Sequence, residues 1–511
     1  MKKEKVFYGD IHNHCSISYG KGSFIDAIQN AKQKLDFCSI TGHAHWCDMP
    51  KPNERIAHII EFHKVGFKKL KENWDEIIKA INKQNIPEEF LLFPGFEMHS
   101  CQDGDVTVVY FEDRGEILYK KDLKELQSAI ENLKQKGVKV LAIPHHIGYK
   151  VGARGINWKT FNPKVSPVVE IYSMHGCSES SQTAFPYMHS MGPLDWESLV
   201  QYGLSQGKVF GFVGSSDHHN AYPGSYGHGY MGVWAKELSS KSIYNAISNR
   251  RTFALTGDKI VIDYELDNIK MGEVSSPKMC KELKIDIEGG CAIDYTDIII
   301  NNKIIKRISS YEMMKPITKE TTIKTKIHLE VGWGQRGKRQ DWDVEYGISD
   351  GQIIDIEPRF RGADILSPEQ NDHSENEKSA FYSSYKRINE KAVRFNTITY
   401  GNMTNTTPGT QGVCINVQMP RTAKVWARIN GIYKEYLVNE LLKGGKSGYL
   451  IDEIDSPSWL MHKIFQEHEY IWNIRLDKFD YNFHAGDFLY VRVKQENNQW
   501  AWGSPVFFRE T

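Results

Sequence analysis

Histidine and carboxylate residues recur in five short segments of this chain, each following an apolar run. They are Gly9-Asp10-Ile11-His12-Asn13-His14, Thr41-Gly42-His43-Ala44-His45, Gly95-Phe96-Glu97, Pro144-His145-His146 and Ser216-Asp217-His218-His219. Fourteen of the 19 histidines precede residue 230. Imidazole is the commonest side-chain metal ligand and has no comparable reason to crowd into half of a chain, so the pattern points to one metal site. His12 and His14 stand two apart at a strand end, which turns both to the same face. Glu97 ends a buried run, where an unpaired carboxylate is costly and a cation removes the cost. His145 and His146 are adjacent and face differently, so one suits a ligand and the other a supporting or substrate-facing role. Val168-Val169-Glu170-Ile171-Tyr172-Ser173-Met174-His175 repeats the design, and Asp217 with His219 mirrors the His12/His14 pair while His218 alternates away. Eight groups then converge: His12, His14, His43, Glu97, His145, His175, Asp217 and His219. That is too many for one tetrahedral ion and enough for two or three. Mixed imidazole and carboxylate donors suit Zn, Mn or Fe better than Ca or Mg.

The elements that must position these groups alternate between short apolar strands and helical patterns over residues 5 to 257, as in an α/β domain with a largely parallel sheet. Strands are expected at Val6 to Ile11, Phe37 to Thr41, Phe90 to Phe93, Val106 to Phe111, Val138 to Ile143, Val168 to Tyr172 and Val209 to Val213. Three- and four-residue apolar steps predict a long helix over 54–84, in which His58 and His63 read as ordinary helix histidines. Further helices are expected at 121–136, at 195–206 with Asp195 as N-cap, and at 240–250. After residue 258 the runs are short, β-branched or aromatic, and separated by turn residues, which argues for antiparallel sheets in a β-sandwich. The polar stretch 359–390 reads as a long loop. Two domains are therefore expected, 1–257 and 258–511.

Composition narrows the partners. Lys plus Arg and Asp plus Glu number 64 each, which removes a global electrostatic case for nucleic acid or an anionic membrane. No run approaches the roughly 20 apolar residues that cross a bilayer, and the start of the chain leaves no room for a signal-peptide core. The eight cysteines are scattered without a CxxC pair, so a reducing cytoplasm is expected. Cys15, Cys38, Cys47 and Cys177 lie near the histidine segments and read as small apolar packing groups. His328, His373, His462, His468 and His484 are dispersed through the β-rich part, which shows no catalytic constellation.

The ordered motifs GDIHNH, ITGH, GFE, PHH and SSDHH resemble those of the PHP (polymerase and histidinol phosphatase) superfamily over residues 5 to 257. Gly155-Ile156-Asn157-Trp158, VEIYSMHG, the segment Asn249 to Gly257, FLYVRVKQ and AWGSPVFF resemble a branch of large members with a β-rich C-terminal region. The resemblance implies a distorted (β/α)7 barrel with its metals at the C-terminal strand ends. It implies that His12, His14, Glu97 and Asp217 hold one ion, that Glu97 bridges to a second held with His145 and His175, and that His43 and His219 face a third. Two departures bear on the third ion. Gly42 stands where the family usually has Asp, and Ser18-Tyr19-Gly20 stands where it often has Asp or His. His45 could compensate.

The leading expectation is a metal-dependent phosphoesterase acting on a small phosphate ester, with a hydroxide bridging two ions as the in-line nucleophile. Arg154 and Lys150 are the candidate phosphate contacts, His99 or His218 the candidate proton donor to the leaving oxygen, and Asp217 the group without which turnover fails. A second reading keeps the metals for a hydrolase or lyase acting on a carbohydrate or other metabolite, with Trp46, Trp158, Tyr149 and Tyr226 available for stacking. A third is an inactive binding protein. The β-rich region has three roles open to it: covering the barrel, shaping the pocket, or building a homo-oligomer interface.

Overall fold

The computed structural model describes residues 3–315, 321–363, 383–404 and 408–510. His373 and most of the expected 359–390 loop lie outside them. The chain is mixed α/β, with many strands and few helices. The amphipathic stretch at 54–84 is the helix Ala57–Gln84, which buries Ile60, Leu70, Trp74, Ile77 and Ile81 along one face. Leu123–Gln135 starts at an Asp122 cap, and Ser240–Ser248 at a Ser239 cap. The 195–206 stretch splits into a 3₁₀ turn, Trp196–Ser198, capped by Asp195, and the short helix Val200–Ser205. Three helices escaped the sequence reading: Phe24–Lys32 and the single turns Val438–Leu441 and Glu467–Tyr470. Phe24–Lys32 begins in a capping box, Ser23 accepting from the Asp26 N–H and Asp26 from the Ser23 N–H.

The strands that carry the histidines pair only partly in parallel. Lys5–Asp10, Phe37–Cys38 and Leu91–Leu92 form one parallel run, Thr41–Trp46 pairs parallel with Gly95–His99, and Val168–Ser173 pairs parallel with Gly211–Gly214. Val106–Tyr110, however, is antiparallel to both Gly95–His99 and Val140–Pro144, and Lys5–Asp10 is antiparallel to Tyr230–Ala235. These strands fall in three separate sheets, each mixed rather than largely parallel, and the pairings do not trace a (β/α)7 ring. The cause is local: the connection at 100–105 is far shorter than the dozen or so residues of a parallel crossover, so the chain reverses.

The two halves share a sheet. Thr252–Leu255 pairs with Tyr230–Ala235 on one side and with Trp500–Gly503 on the other, within an 11-stranded sheet. Beyond it, two antiparallel five-stranded sheets, one centred on Gln411–Pro420 and Thr322–Trp333 and the other on Gln340–Ile348, enclose a common core that includes Ile327, Trp342, Tyr346, Phe395 and Ile415. No helix among the described residues is long and apolar enough to cross a membrane.

Lys34, just past the first helix, is 8% exposed. Its Nζ donates to the Gly257 carbonyl at 3.0 Å and lies 4.3 Å from the centre of the Tyr230 ring. Burial pulls its pKa down to about 7 from the ordinary 10.5. Between those two values the unfolded chain binds the proton and the folded chain does not, so this residue makes stability rise with pH across that window. Lys34→Met is expected to flatten that rise in urea unfolding followed across the window. Equal slopes in variant and parent would contradict the assignment.

Candidate metal centre

The side chains named from the sequence meet around two carboxylates, Glu97 and Asp217, which are 1% and 2% exposed. Each carboxylate is shared between its two oxygens. Glu97 Oε2 faces Nε2 of His12, His14 and His43 at 3.7, 3.3 and 3.5 Å, while Oε1 faces His145 Nε2 and His99 Nδ1 at 3.1 Å each. Asp217 Oδ1 lies 3.1 Å from both His12 and His14 Nε2, and Oδ2 lies 2.9 Å from His175 Nε2. His219 completes a triangle with His14 and His43. Loop geometry beyond the strand ends aims these groups. Asp217 and His146 adopt φ of 52° and 31°, left-handed values that non-glycine residues avoid unless the surroundings enforce them.

Outer contacts fix the rings. Glu170 Oε2 takes His12 Nδ1 at 2.7 Å, and its Oε1 accepts from the His146 N–H at 3.0 Å. Ser18 Oγ lies 3.1 Å from His43 Nδ1, and the Tyr149 hydroxyl lies 2.5 Å from His175 Nδ1. Holding one ring nitrogen leaves the other directed inward, the usual arrangement behind a metal-binding histidine. Asp10 accepts from Ser216 Oγ and from the N–H groups of His12 and Gly224, so the His12 and Asp217 loops are tied to one carboxylate.

The electrostatics ask for a cation. Burial pushes Glu97 up, but His99, His43 and His145 outweigh it and hold its pKa well below the usual carboxylate range. Asp217 is held low in the same way, chiefly by His12. Burial lowers His14, His43, His146 and His219, favouring the neutral imidazole that a metal requires. Among the described residues His12 Nε2 and Glu97 Oε2 are buried without a hydrogen-bond partner although they face each other. Buried lone pairs without a partner are rare in a folded protein. The residues present therefore fit divalent ions, and sets such as His12/His14/Glu97 and His146/His175/Asp217 are close enough to hold them.

All eight expected ligands are brought together, with one regrouping. The resemblance places His175 with Glu97 and His145, whereas here it contacts Asp217 and groups with His146. His99 enters the cluster directly, as does Asp105, which the sequence reading passed over. Asp105 sits between His99 Nδ1 at 3.2 Å and His146 Nε2 at 3.5 Å and forms an ion pair with Arg154. Its sequence signal is slight, the second aspartate of Asp103-Gly104-Asp105 before an apolar strand. Arg154 reaches within 3.8 Å of Glu97 Oε1 and lies over the Trp46 ring. Lys150 is exposed. His218 directs its ring to Tyr222 and His228, while its carbonyl accepts from the His14 N–H. Burial pushes the Cys15 and Cys177 thiols up to about 12, in keeping with packing rather than ligation.

Packing shapes the surroundings of His43, where the resemblance leads one to expect a third ion. A Cβ on Gly42 would lie 2.7 Å from Leu70 Cδ1 and 3.3 Å from Ile17 Cδ1, so the helix Ala57–Gln84 occupies the space an aspartate would need. Tyr19 stacks on His43 with ring centres 3.5 Å apart. Gly66 permits this, since a Cβ there would stand 2.7 Å from Tyr19 Cδ1. His45 does not compensate. A register shift between His43 and His45 turns it to the Lys120 carbonyl, at 2.8 Å.

No family model matches the chain. Three curated relatives, each described as an uncharacterised protein, come from Chlamydia. The one from C. trachomatis is 29% identical over 168 residues, 30% of this chain and 27% of the relative. Those from C. muridarum and C. pneumoniae are 27% and 22% identical over 164 and 251 residues. The matches thus span 27%, 26% and 40% of those relatives. Among solved structures, a two-domain protein from Bacteroides vulgatus, described as containing a predicted PHP-like metal-dependent phosphoesterase, aligns at 17% identity with a TM-score of 0.31, over 58% of this chain and 79% of that one. The molecule is a strand-rich mixed α/β protein whose clustered histidines and acids could bind metal.

Two outcomes are expected here. Glu97→Gln removes the carboxylate shared by both sides of the cluster and should at least halve the metal retained after gel filtration, read by elemental analysis; unchanged content would refute its place at the centre. Gly42→Asp should lower stability by about 1–3 kcal/mol through overpacking against Leu70 and Ile17, without adding bound metal.

Proposed function

We propose that this chain is a metal-dependent phosphoesterase that hydrolyses a small phosphate ester, its catalytic part being residues 1–257, a PHP-like α/β region, and its remainder, 258–511, a β-sandwich-like domain. The observation that carries the reading is the division of Glu97 and Asp217: each buried carboxylate presents its two oxygens to two different sets of histidines. That is the donor arrangement for two neighbouring ions. His12, His14, Glu97 and Asp217 would hold one, and Glu97 with His145 the other, with His175 and His146 on the Asp217 side. Zn, Mn or Fe bound there would supply Lewis acidity toward phosphoryl oxygens and lower the pKa of water.

The chain's own residues then position and stabilise charge. Arg154 is held by Asp105 and lies over Trp46, a fixed guanidinium beside Glu97 that suits an equatorial phosphoryl oxygen. His99 lies between Glu97 and Asp105, with Nε2 3.4 Å from the Tyr19 hydroxyl, and we assign it the proton for the leaving oxygen. His218 is left a structural part, bracing the His14 loop through its carbonyl. The carbohydrate reading loses support. Trp158 is buried against Phe161 and Phe210, and Tyr149 is engaged by His175.

Metal analysis paired with a phosphoester panel tests the proposal. Asp217→Asn is expected to cost about a thousandfold or more in kcat with the melting profile of the folded chain retained. Wild-type turnover by that variant, or a metal-free and inactive parent protein, would overturn it.

A further inference from the structure

A cavity of about 1050 Å³ adjoins the cluster, and it is lined from both halves of the chain. His175 is common to both, since it lines the cavity while its Nε2 contacts Asp217. His189, whose ring centre is 4.8 Å from that of His175, continues the wall. The β-rich half contributes four cations to the lining: Lys326, Arg359, Arg361 and Lys463. Two of them are neutralised in place. Arg359 pairs with Asp258 and Glu357 at 3.2 and 3.0 Å, and Lys326 with Glu288 at 3.2 Å.

Arg361 differs. Its Nε donates to the Thr410 carbonyl at 3.2 Å, its Nη1 to the Tyr226 carbonyl at 2.8 Å, and its guanidinium lies 4.6 Å from the Tyr226 ring centre. The Gln411 side chain holds both its backbone N–H and its backbone carbonyl. No carboxylate among the described residues pairs with it, and Nη2 has no acceptor there. Glu330, the nearby acid of the lining, feels the Arg361 charge but is hydrogen-bonded to His462 at 2.7 Å and to the Thr410 hydroxyl rather than to Arg361. A guanidinium held at two of its nitrogens and over one face, on a residue that lines a cavity, is pre-organised for an anion and loses little freedom on binding it.

We propose that this cavity is the substrate chamber and that Arg361 receives a second anionic group, a carboxylate or a phosphate, carried on the substrate away from the phosphoryl group at the metal cluster. The inference rests on the phosphoesterase reading and adds the substrate class: an ester with negative charge at both ends. The volume agrees, since it far exceeds what inorganic phosphate fills and falls at the upper end of metabolite-sized sites. The placement also gives the β-rich half a part in selection. Arg361 reads one end of the ligand while the histidine cluster reads the other.

Calorimetric titration of the full-length, metal-loaded protein with non-hydrolysable phosphonates tests this. Plain alkylphosphonates of graded chain length are compared with the ω-carboxylated and the ω-phosphonylated members of the same lengths. The parent protein should bind one doubly charged series about tenfold tighter than its plain counterpart at the matching length, and the favoured series tells carboxylate from phosphate. Arg361→Gln should erase that preference while binding the plain series as the parent does, and Arg361→Lys should restore part of it; a melting scan of each variant accompanies the titrations. The proposal is overturned if no doubly charged ligand is preferred at any length, or if Arg361→Gln keeps the preference. Turnover is not the readout, so failure to hydrolyse any phosphoester would overturn the preceding reading alone.

Discussion

Two negative charges buried out of water set the terms for the rest of the molecule. Glu97 and Asp217 are buried, and the imidazoles packed around them hold both carboxyls ionised. Isolated carboxylates in so dry a place would take up protons or unfold the site. Strand ends from distant parts of the sequence therefore stop at one level, and the turns after them bend into the left-handed region at His146 and Asp217. Behind the inner ring, Glu170, Asp105, Ser18 and Tyr149 orient the rings of His12, His99, His43 and His175, and Asp10 holds the His12 backbone. Loss of any of these outer partners would leave a ligand in place and misdirect its lone pair.

The chemistry of the site was legible in the sequence to a greater degree than its architecture. His12, His14, His43, Glu97, His145, His175, Asp217 and His219 announce themselves by type and by their place after apolar runs, and the structure gathers all of them. Period and type say nothing, though, about a residue whose role depends on a partner far away in the chain. Asp105 matters because Arg154 folds back onto it, and Glu170 because His12 does. Likewise His45 could compensate for Gly42 on sequence grounds, but a register shift turns it to the Lys120 carbonyl. Strand direction was the other blind spot. Alternation of strand and helix suggested parallel pairing, and only the short 100–105 connection betrayed the reversal around Val106–Tyr110.

The neighbourhood of His43 shows how packing alone can reshape one side of a histidine cluster. Gly42 and Gly66 are the two places where removing a side chain lets the helix Ala57–Gln84 close on the cluster, bringing Leu70 and Tyr19 against it. His63 on that helix, whose pKa burial draws down to about 3, adds a neutral ring between Tyr19, Trp46 and His99. An aromatic wall thus stands where further oxygen donors would otherwise be needed, which narrows the side of the site facing that helix and leaves the His175 side as the one that meets the cavity.

The sheet joining Thr252–Leu255 to Trp500–Gly503 has a consequence for how the protein comes into being. During synthesis the segment that braces the histidine-bearing strands emerges long before its partner, and until then one edge of that sheet has bare amide and carbonyl groups. Closure across so many residues is entropically slow, and a nascent chain waiting for it is exposed to mispairing with its neighbours. The histidine cluster is thereby coupled to a pairing made late in synthesis: a ribosome that stalls before Trp500 leaves behind a chain with every clustered residue encoded and an unfinished sheet to hold them.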